Sequence, residues 1–189
     1  MSISLIKPDL ERLPAFLEAL RRGWSPDNVR GAEAANEILA AAATDPEAVV
    51  AGMDDPEAKA GPILLPDGST VERLPGFHRW IWDGAFCGVI GFRWRPGTAE
   101  LPPHVLGHIG YAVTPWKRGR GYASEALGLL LPQAAALGLP WVELTTDPDN
   151  TPSQNVILNN GGYLLERFRK APAYGGGESL RYRIDLDPV

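Results

Sequence analysis

The chain has 189 residues, of which 44% are hydrophobic and 22% are charged, and its formal net charge is −5. This composition indicates one soluble globular domain with a real core. The negative balance argues against a general nucleic-acid binder, which needs clustered Lys and Arg. The single cysteine, Cys87, excludes an internal disulfide framework and favours a reducing compartment, so we expect a cytoplasmic protein. No apolar run reaches membrane-spanning length and residues 1–12 do not resemble a signal peptide, so we expect no membrane partner.

The first part of the chain is predicted to form one strand and two helices. Alternation of apolar residues predicts a short strand at 2–7, and helical spacing predicts helices at 9–22 and 32–43. Residues 45–76 are rich in proline, glycine and acidic side chains. We expect this segment to be partly irregular and either to overhang a site or to lie on the surface.

The second part alternates strands with two helices. Strands are predicted at 77–82, 86–94, 108–113, 141–146, 163–168 and 180–186, and helices at 122–137 and 153–160. Asp83-Gly84 is a hairpin turn signal, and Gly175 to Gly177 form a flexible linker. Pro132 interrupts a helical pattern whose apolar stripe continues, which predicts one kinked helix. The fold class is therefore α/β (α+β), with hairpins around one central βαβ unit.

The most informative stretch is the Gly-rich turn Arg118-Gly119-Arg120-Gly121-Tyr122-Ala123. It follows an apolar strand pattern and begins a helical one. Glycines allow close backbone approach, free amides and the helix dipole favour anions, and arginines suit phosphate oxygens. The turn predicts a site for a pyrophosphate-bearing ligand.

Three phosphate-binding loops compete for this turn. A P-loop needs a Lys followed by Ser or Thr after its glycines, which is absent. A dinucleotide fingerprint would need Gly or Ala at position 124, which is Ser124, although Glu143 stands at a tolerable distance for a ribose-binding acid. The dinucleotide alternative is weakened but stays open, and the third candidate is a coenzyme A loop.

Two motifs resemble one superfamily. Arg118-x-x-Gly121-x-Ala123 is similar to the Arg/Gln-x-x-Gly-x-Gly/Ala signature of the GNAT N-acetyltransferases. Residues 145–163, from Thr145-Thr146-Asp147 through Asn150-x-x-Ser153 to Gly162-Tyr163, resemble the following strand, helix start and closing Gly-Phe/Tyr of that superfamily. The resemblance is strong over 107–168, is faint before residue 76, and favours a branch of uncharacterised predicted acetyltransferases.

The resemblance implies a fold and a cofactor. It implies a mostly antiparallel twisted sheet of about six or seven strands, helices on both faces, and splayed parallel strands at 108–113 and 141–146. Acetyl-CoA would lie in the gap between them. Its contacts would be main-chain groups of Tyr111 and Val113 with the pantetheine arm, the amides of Arg118, Gly119, Arg120, Gly121, Tyr122 and Ala123 with the diphosphate, and Asn150 and Ser153. Helix capping is the alternative for the last two.

The implied reaction is direct attack of an amine on the acetyl thioester, with the Val113 amide as oxyanion donor. His108 is the first choice for the base, against the alternative of a hydrogen-bonded strand histidine. Glu100 and His104 follow, ahead of Asp147 and Glu143. No acid is named, because Leu158 stands where many relatives have a tyrosine.

The acceptor pocket is expected in the poorly matched half. His78, Trp80 and Trp82 share one face of a strand and suit a cationic amine, although strand aromatics also serve as core. Arg93 and Arg95 argue instead for an acidic group, and this choice stays open.

We therefore expect a single acyltransferase domain over 1–189, with a variable substrate-side part at 1–76 and a cofactor-binding core at 77–186. The expected partner is a small-molecule or protein amine, a homodimer is left open, and no metal is expected. The alternatives are a non-catalytic acyl-CoA sensor, a dinucleotide-dependent oxidoreductase, and transfer of a bulkier acyl group.

Overall fold

The structure is a computed structural model that describes residues 2–64, 69–172 and 176–187. Within these ranges it contains five α-helices, ten strands and one 3-10 turn at Pro115–Lys117. The helices are α1 (Leu13–Arg21), α2 (Ala32–Thr44), α3 (Pro46–Ala51), α4 (Tyr122–Ala135) and α5 (Thr151–Leu158). The strands are β1 (Ser4–Ile6), β2 (Asp54–Asp55), β3 (Ile63–Leu64), β4 (Thr70–Val71), β5 (Gly76–Trp82), β6 (Phe86–Arg93), β7 (Ile109–Val113), β8 (Trp141–Thr146), β9 (Tyr163–Arg169) and β10 (Glu178–Asp185).

The main sheet is divided between β7 and β8. The first part has the order β1-β5-β6-β7 with β2 also on β5, and the second has the order β8-β10-β9. All strand pairings among the described residues are antiparallel. α4 connects β7 to β8, so this break in pairing lies inside the βαβ unit that the sequence predicted.

Two hydrophobic clusters cover opposite faces of the first sheet. On one face α4 packs Tyr122, Leu127 and Leu130 against strand side chains such as Ile81, Ile90 and Ile109. On the other face α1 contributes Phe16 to a second cluster of core side chains, whose other members include Trp24, Trp80, Phe86 and Val89. The alternation of side chains along β5 explains the division, because neighbouring residues of a strand point to opposite faces. The mixed α/β fold with helices on both faces is confirmed.

The structure corrects several predicted boundaries. α1 begins at Leu13 rather than residue 9, because Asp9 forms a turn in which its side chain accepts from the Arg12 amide at 2.8 Å. α5 begins at Thr151 rather than Ser153. α4 runs unbroken through Pro132 and ends at Ala135, which confirms one helix instead of two.

The segment 45–76 is more regular than predicted. It contains α3, whose first turn is capped by Asp45 accepting from the Ala48 amide at 2.9 Å, and it contains the strands β2, β3 and β4. Residues 65–68, with Asp67, and residues 173–175, with Gly175, lie outside the described part of the chain. In the part that is described, no helix has the length and apolar character needed to cross a membrane. The division at residue 76 stays a prediction.

Candidate active site

The gap between β7 and β8 is closed at one end. The His108 amide donates to the Glu143 carbonyl at 2.7 Å, and the Glu143 amide donates to His108 Nδ1 at 2.9 Å. Gly107 allows this approach, since a Cβ there would lie 3.0 Å from the Glu143 carbonyl oxygen. Residue 108 thus fastens the start of β7 to the middle of β8.

His108 joins β7 to β8 in this geometry, which gives no support to its predicted role as the base. Its side chain is 0% exposed and packs edge-on against Trp141, with ring centroids 5.7 Å apart. Burial is the main cause that lowers its pKa from 6.5 to about 4. The ring has no exposed surface, and its Nδ1 already accepts a main-chain hydrogen bond. The sequence alternative of a hydrogen-bonded strand histidine describes the residue.

The other end of the gap is open. The Arg93 amide donates to the His108 carbonyl at 2.9 Å and the Thr114 amide donates to the Cys87 carbonyl at 2.8 Å, which fixes the even-numbered residues of β7 as those bonded to β6. In an antiparallel pair the intervening residues point their main-chain groups away from the partner. Tyr111 and Val113 therefore present their N–H and C=O groups to the gap, as predicted for residues that pair with an amide-containing arm. Buried main-chain groups need such a partner.

The Gly-rich turn lies at the mouth of this gap. Arg118 to Gly121 are exposed, and Gly119 and Gly121 adopt left-handed φ values of 73° and 79°. Gly121 is the N-cap of α4 and supplies no side chain to the first-turn amides, so these donors stay available to a ligand. Arg118 Nε donates to the Val113 carbonyl at 3.2 Å, which links the turn to the open end of β7. The turn has the geometry of an anion cup.

The far wall of the gap is formed by the start of α5. Asn150 caps this helix by accepting from the Ser153 amide at 3.2 Å, so the capping alternative applies to Asn150. Ser153 Oγ lies 2.9 Å from the Tyr111 hydroxyl, which also donates to the Ser153 carbonyl at 3.2 Å. Burial raises the pKa of Tyr111 to about 12, so its hydroxyl stays protonated. The Tyr111 side chain thus connects β7 to the start of α5 across the gap.

The first residues of α4 have different environments. The Tyr122 side chain is 4% exposed and packs in the core with α4. Ala123 is half-buried. Only main-chain groups of these two residues are therefore open to a diphosphate.

A buried carboxylate next to the turn was missed by the sequence analysis. Asp83 accepts from Lys117 and from the Tyr122 hydroxyl. The only sequence signal at Asp83 was that of a hairpin turn, and its separation of 34 positions from Lys117 hid the contact.

The predicted aromatic pocket is wrong in one member. Trp80 is 0% exposed and is stacked on Phe16, with centroids 5.5 Å apart, so it belongs to the core under α1. Trp82 is half-buried, lies next to β1 and has the Arg12 guanidinium 5.9 Å from its ring centroid. The core alternative applies to Trp80, because α1 covers this half of the sheet.

His78 lies on the uncovered half of the same face. It pairs with Gly91 on β6, which pairs with Gly110 on β7. A Cβ on Gly91 would lie 2.8 Å from His78 Cδ2, so the imidazole ring lies across this glycine, while Gly110 is exposed with open space above it. We call His78, Gly91 and Gly110 the glycine row. The ring is exposed, and partial desolvation by its neighbours, followed by the charge of Arg93, lowers its pKa.

Glu100 is exposed in the loop before β7, where its amide donates to Thr98 Oγ1 at 3.0 Å. Among the described residues, no hydrogen bond or ion pair joins its side chain to the glycine row or to the Gly-rich turn. Its predicted catalytic role has no geometric support.

The comparisons with known proteins agree with this geometry. The family model described as acetyltransferase (GNAT) domain matches residues 29–162. RimJ of Mycobacterium smegmatis in complex with a CoA-disulfide superposes with a TM-score of 0.63 at 19% identity, covering 97% of this chain and 81% of that chain.

Two further solved structures give similar values. The RimL ribosomal L7/L12 alpha-N-protein acetyltransferase in complex with coenzyme A has a TM-score of 0.61 at 17% identity, covering 100% of this chain and 97% of that chain. The Microcin C7 self immunity acetyltransferase MccE, in complex with acetyl-CoA and AMP, has a TM-score of 0.61 at 13% identity, covering 98% and 93%. No curated protein sequence gives a significant match.

The structural likenesses are below 25% identity and show the fold, whereas the family model spans most of the chain and includes the Gly-rich turn. The chain therefore belongs to the GNAT acetyltransferase family and is an acetyl-CoA-dependent acetyltransferase.

Proposed function

We propose that the protein transfers the acetyl group of acetyl-CoA to a primary amine, of a small molecule or of a protein, by direct attack in a ternary complex. The observation that supports this most is the open end of β7, where Tyr111 and Val113 have no strand partner among the described residues and the start of α4 has no side-chain cap. One ligand with an amide-containing arm and a diphosphate satisfies both sets of main-chain groups. Coenzyme A is such a ligand.

In this proposal the diphosphate binds the amides of residues 118–123, with Arg118 and Arg120 adding charge. The pantetheine arm pairs with Tyr111 and Val113 and passes Asn150 and Ser153. The thioester carbonyl then lies at β7, where the Val113 amide stabilises the oxyanion.

The acceptor amine approaches over the glycine row. Gly110 has no side chain above the sheet, so it leaves room beside β7 on the half of this face that α1 does not cover, whereas the space above Gly91 is filled by the His78 ring. His78 lies at the edge of this room and is neutral near pH 7, because its pKa is lowered from 6.5. It therefore accepts a hydrogen bond from the amine, while water takes the proton released on attack. The amine nitrogen bonds to the acetyl carbon, the C–S bond breaks, and the thiolate takes a proton from solvent.

The charges near the acceptor path are mostly balanced within the protein. Asp54 is paired with Arg79 at 2.8 Å and with Lys7. Asp55 accepts from the amides of Lys59 and Ala60. The acidic segment therefore supplies less attraction for a cation than its composition indicated. The proposal rests on the nucleophilicity of an amine and leaves its charge open.

The test is to mix the protein with acetyl-CoA and a panel of primary amines that includes N-terminal peptides, and to measure free thiol and the acetylated product. Turnover with an amine and none without it is expected. Binding of acetyl-CoA without turnover across the panel would instead support the sensor alternative, and stabilisation by NAD but not by coenzyme A would support the oxidoreductase.

His78 provides a second test. His78→Ala should raise KM for the amine and leave the Kd of coenzyme A within about 2-fold of the wild-type value. The reason is that His78 lies on β5, whereas the Gly-rich turn follows β7, two strands away. Glu100→Gln is the matched control, and we expect it to change neither. Equal changes in both variants would remove His78 from the acceptor site. We also propose a cytoplasmic location, which fractionation of the native host would test.

A further inference from the structure

One buried carboxylate contacts both sides of the Gly-rich turn. Asp83 lies in the connection between β5 and β6, and its side chain is 5% exposed. Lys117 Nζ donates to its two oxygens at 2.8 and 2.7 Å, and the Tyr122 hydroxyl donates to Oδ2 at 2.7 Å. The carboxylate thus accepts three hydrogen bonds from these two residues and a fourth, at 3.2 Å, from the Ala85 amide.

These two donors flank the anion cup. Lys117 is the last residue of the 3-10 turn and Tyr122 is the first residue of α4, so only residues 118–121 lie between them. These four residues are exposed, and two of them are glycines in left-handed conformation. A short exposed turn with two glycines loses much conformational freedom when it is fixed. Contacts that hold both of its ends limit that loss before a ligand arrives.

Each partner of Asp83 is itself fixed. The Tyr122 ring is packed in the core, and Lys117 is 17% exposed. The Asp83 amide donates to the Ala85 carbonyl at 3.2 Å, which closes the β5–β6 turn. The hydrogen bonds from Lys117 are the main reason that the pKa of Asp83 lies well below its usual range. The carboxylate is therefore ionised and held in place at neutral pH.

We propose that Asp83 is a positioning residue for the cofactor diphosphate. It tethers the two flanks of residues 118–121 to the β5–β6 turn, so that their amides are arranged before binding. This inference rests on the proposed binding of coenzyme A at the same turn. Asp83 also balances the charge of Lys117, so the attraction for a diphosphate comes from Arg118, Arg120 and the main-chain amides. The tether affects the binding of the diphosphate and leaves the binding of the pantetheine arm and of the amine unchanged.

The experiment compares two ligands in titration calorimetry. Coenzyme A carries the diphosphate, and pantetheine lacks it. Asp83→Ala should raise the Kd of coenzyme A about 10-fold and leave the Kd of pantetheine unchanged. Tyr122→Phe removes one flank and keeps the core packing, so it should raise the Kd of coenzyme A by a smaller factor of about 3. Combining the two substitutions should add little to Asp83→Ala alone, because both act through the same carboxylate.

Asp54→Ala is the matched control. Asp54 is another largely buried carboxylate, with a side chain 15% exposed and ion pairs to Arg79 and Lys7, but it lies on β2 away from the turn. The Asp54→Ala variant should lower the thermal midpoint, as Asp83→Ala does, but it should leave the Kd of coenzyme A unchanged.

Two results would overturn the tether. One is an unchanged Kd of coenzyme A in both Asp83→Ala and Tyr122→Phe at a lowered thermal midpoint. The other is tighter binding in Asp83→Ala, which would mean that the freed Lys117 contacts the phosphates and that Asp83 opposes binding. Failure of the wild-type protein to bind coenzyme A would instead contradict the proposed function itself, so the two failures are distinguishable.

Discussion

At its start β7 is fastened to β8 through His108 and Glu143, whereas at its end Tyr111 and Val113 face a gap without a strand partner among the described residues. The fastened end uses a buried imidazole and two hydrogen bonds. The open end uses main-chain groups, glycines and an uncapped helix. A gap of this kind between two strands needs both a fastened end and an open end. Strands that separate at one end must be held together at the other if the gap is to keep its width. The contrast shows that a buried histidine beside such a gap can have a structural role, which is to hold the two strands together at one end.

The largest effect is expected from Gly88→Ala, at the open end. Gly88 has a φ of 155° and pairs with Val113, and a Cβ there would lie 2.2 Å from the Ala112 carbonyl oxygen and 2.8 Å from Val113 Cα. The clash would force β7 away from β6, with a loss of about 3 kcal/mol in the free energy of unfolding. Urea denaturation measures this. Gly97→Ala is the control, since Gly97 also has a positive φ but open space around it. Equal losses in the two variants would contradict the steric explanation.

Gly121→Asp should weaken the open end electrostatically. It places a carboxylate against the diphosphate, and we expect the Kd of coenzyme A to rise about 100-fold, which corresponds to about 2.7 kcal/mol. Gly138→Asp is a matched control, because Gly138 follows the other end of α4 with a similar φ of 77° and open space. Calorimetry with both variants separates backbone strain from charge. Unchanged affinity in Gly121→Asp would remove the assignment of the anion cup.

The fastened end should make stability depend on pH. The pKa of His108 is lowered from 6.5 to about 4 by burial, so below pH 6.5 the unfolded chain takes up a proton that the folded protein resists. The stabilisation is fully present above pH 6.5 and is lost as the pH falls toward 4, by about 1.4 kcal/mol per pH unit. Unfolding curves of wild type and His108→Gln between pH 4 and 7 should differ by this slope.

His108→Gln also distinguishes joint from base. If His108 only fastens the strands, the substitution lowers stability, and the turnover rate at neutral pH stays within a few-fold of the wild-type rate. A turnover rate that falls by two orders of magnitude while stability is unchanged would restore His108 as a catalytic group.

The smallest effect is expected from Tyr111→Phe. It removes the hydroxyl that contacts Ser153 across the gap, and one hydrogen bond of this kind contributes about 1 kcal/mol to stability. The Kd of coenzyme A should change less than about 2-fold, because the predicted contacts of Tyr111 are those of its main chain. A larger change in Kd would assign the hydroxyl itself to the cofactor site.

The region predicted to bind the cofactor could be outlined from the sequence, because its features are local. The Gly-rich turn, the strand before it and the helix after it are contiguous, and the structure shows β8 with the predicted bounds Trp141–Thr146. The region predicted to bind the acceptor could not be outlined in this way. Trp80 and His78 lie two residues apart on one face of β5, so the alternation of the strand does not distinguish a core residue from an accessible one. Only the placement of α1 over one of them makes Trp80 core and leaves His78 accessible.

The sequence by itself determined the family, the order of the elements from residue 77 to 186 and the position of the Gly-rich turn at the start of α4, because each depends on neighbours within a few residues. The tertiary structure alone decided that His108 is a joint, that Glu100 stands apart and that Asp83 reaches the Gly-rich turn from a distant hairpin. The physical reason is that burial and hydrogen bonding between distant segments follow from packing, and packing is set by the whole chain rather than by any local pattern.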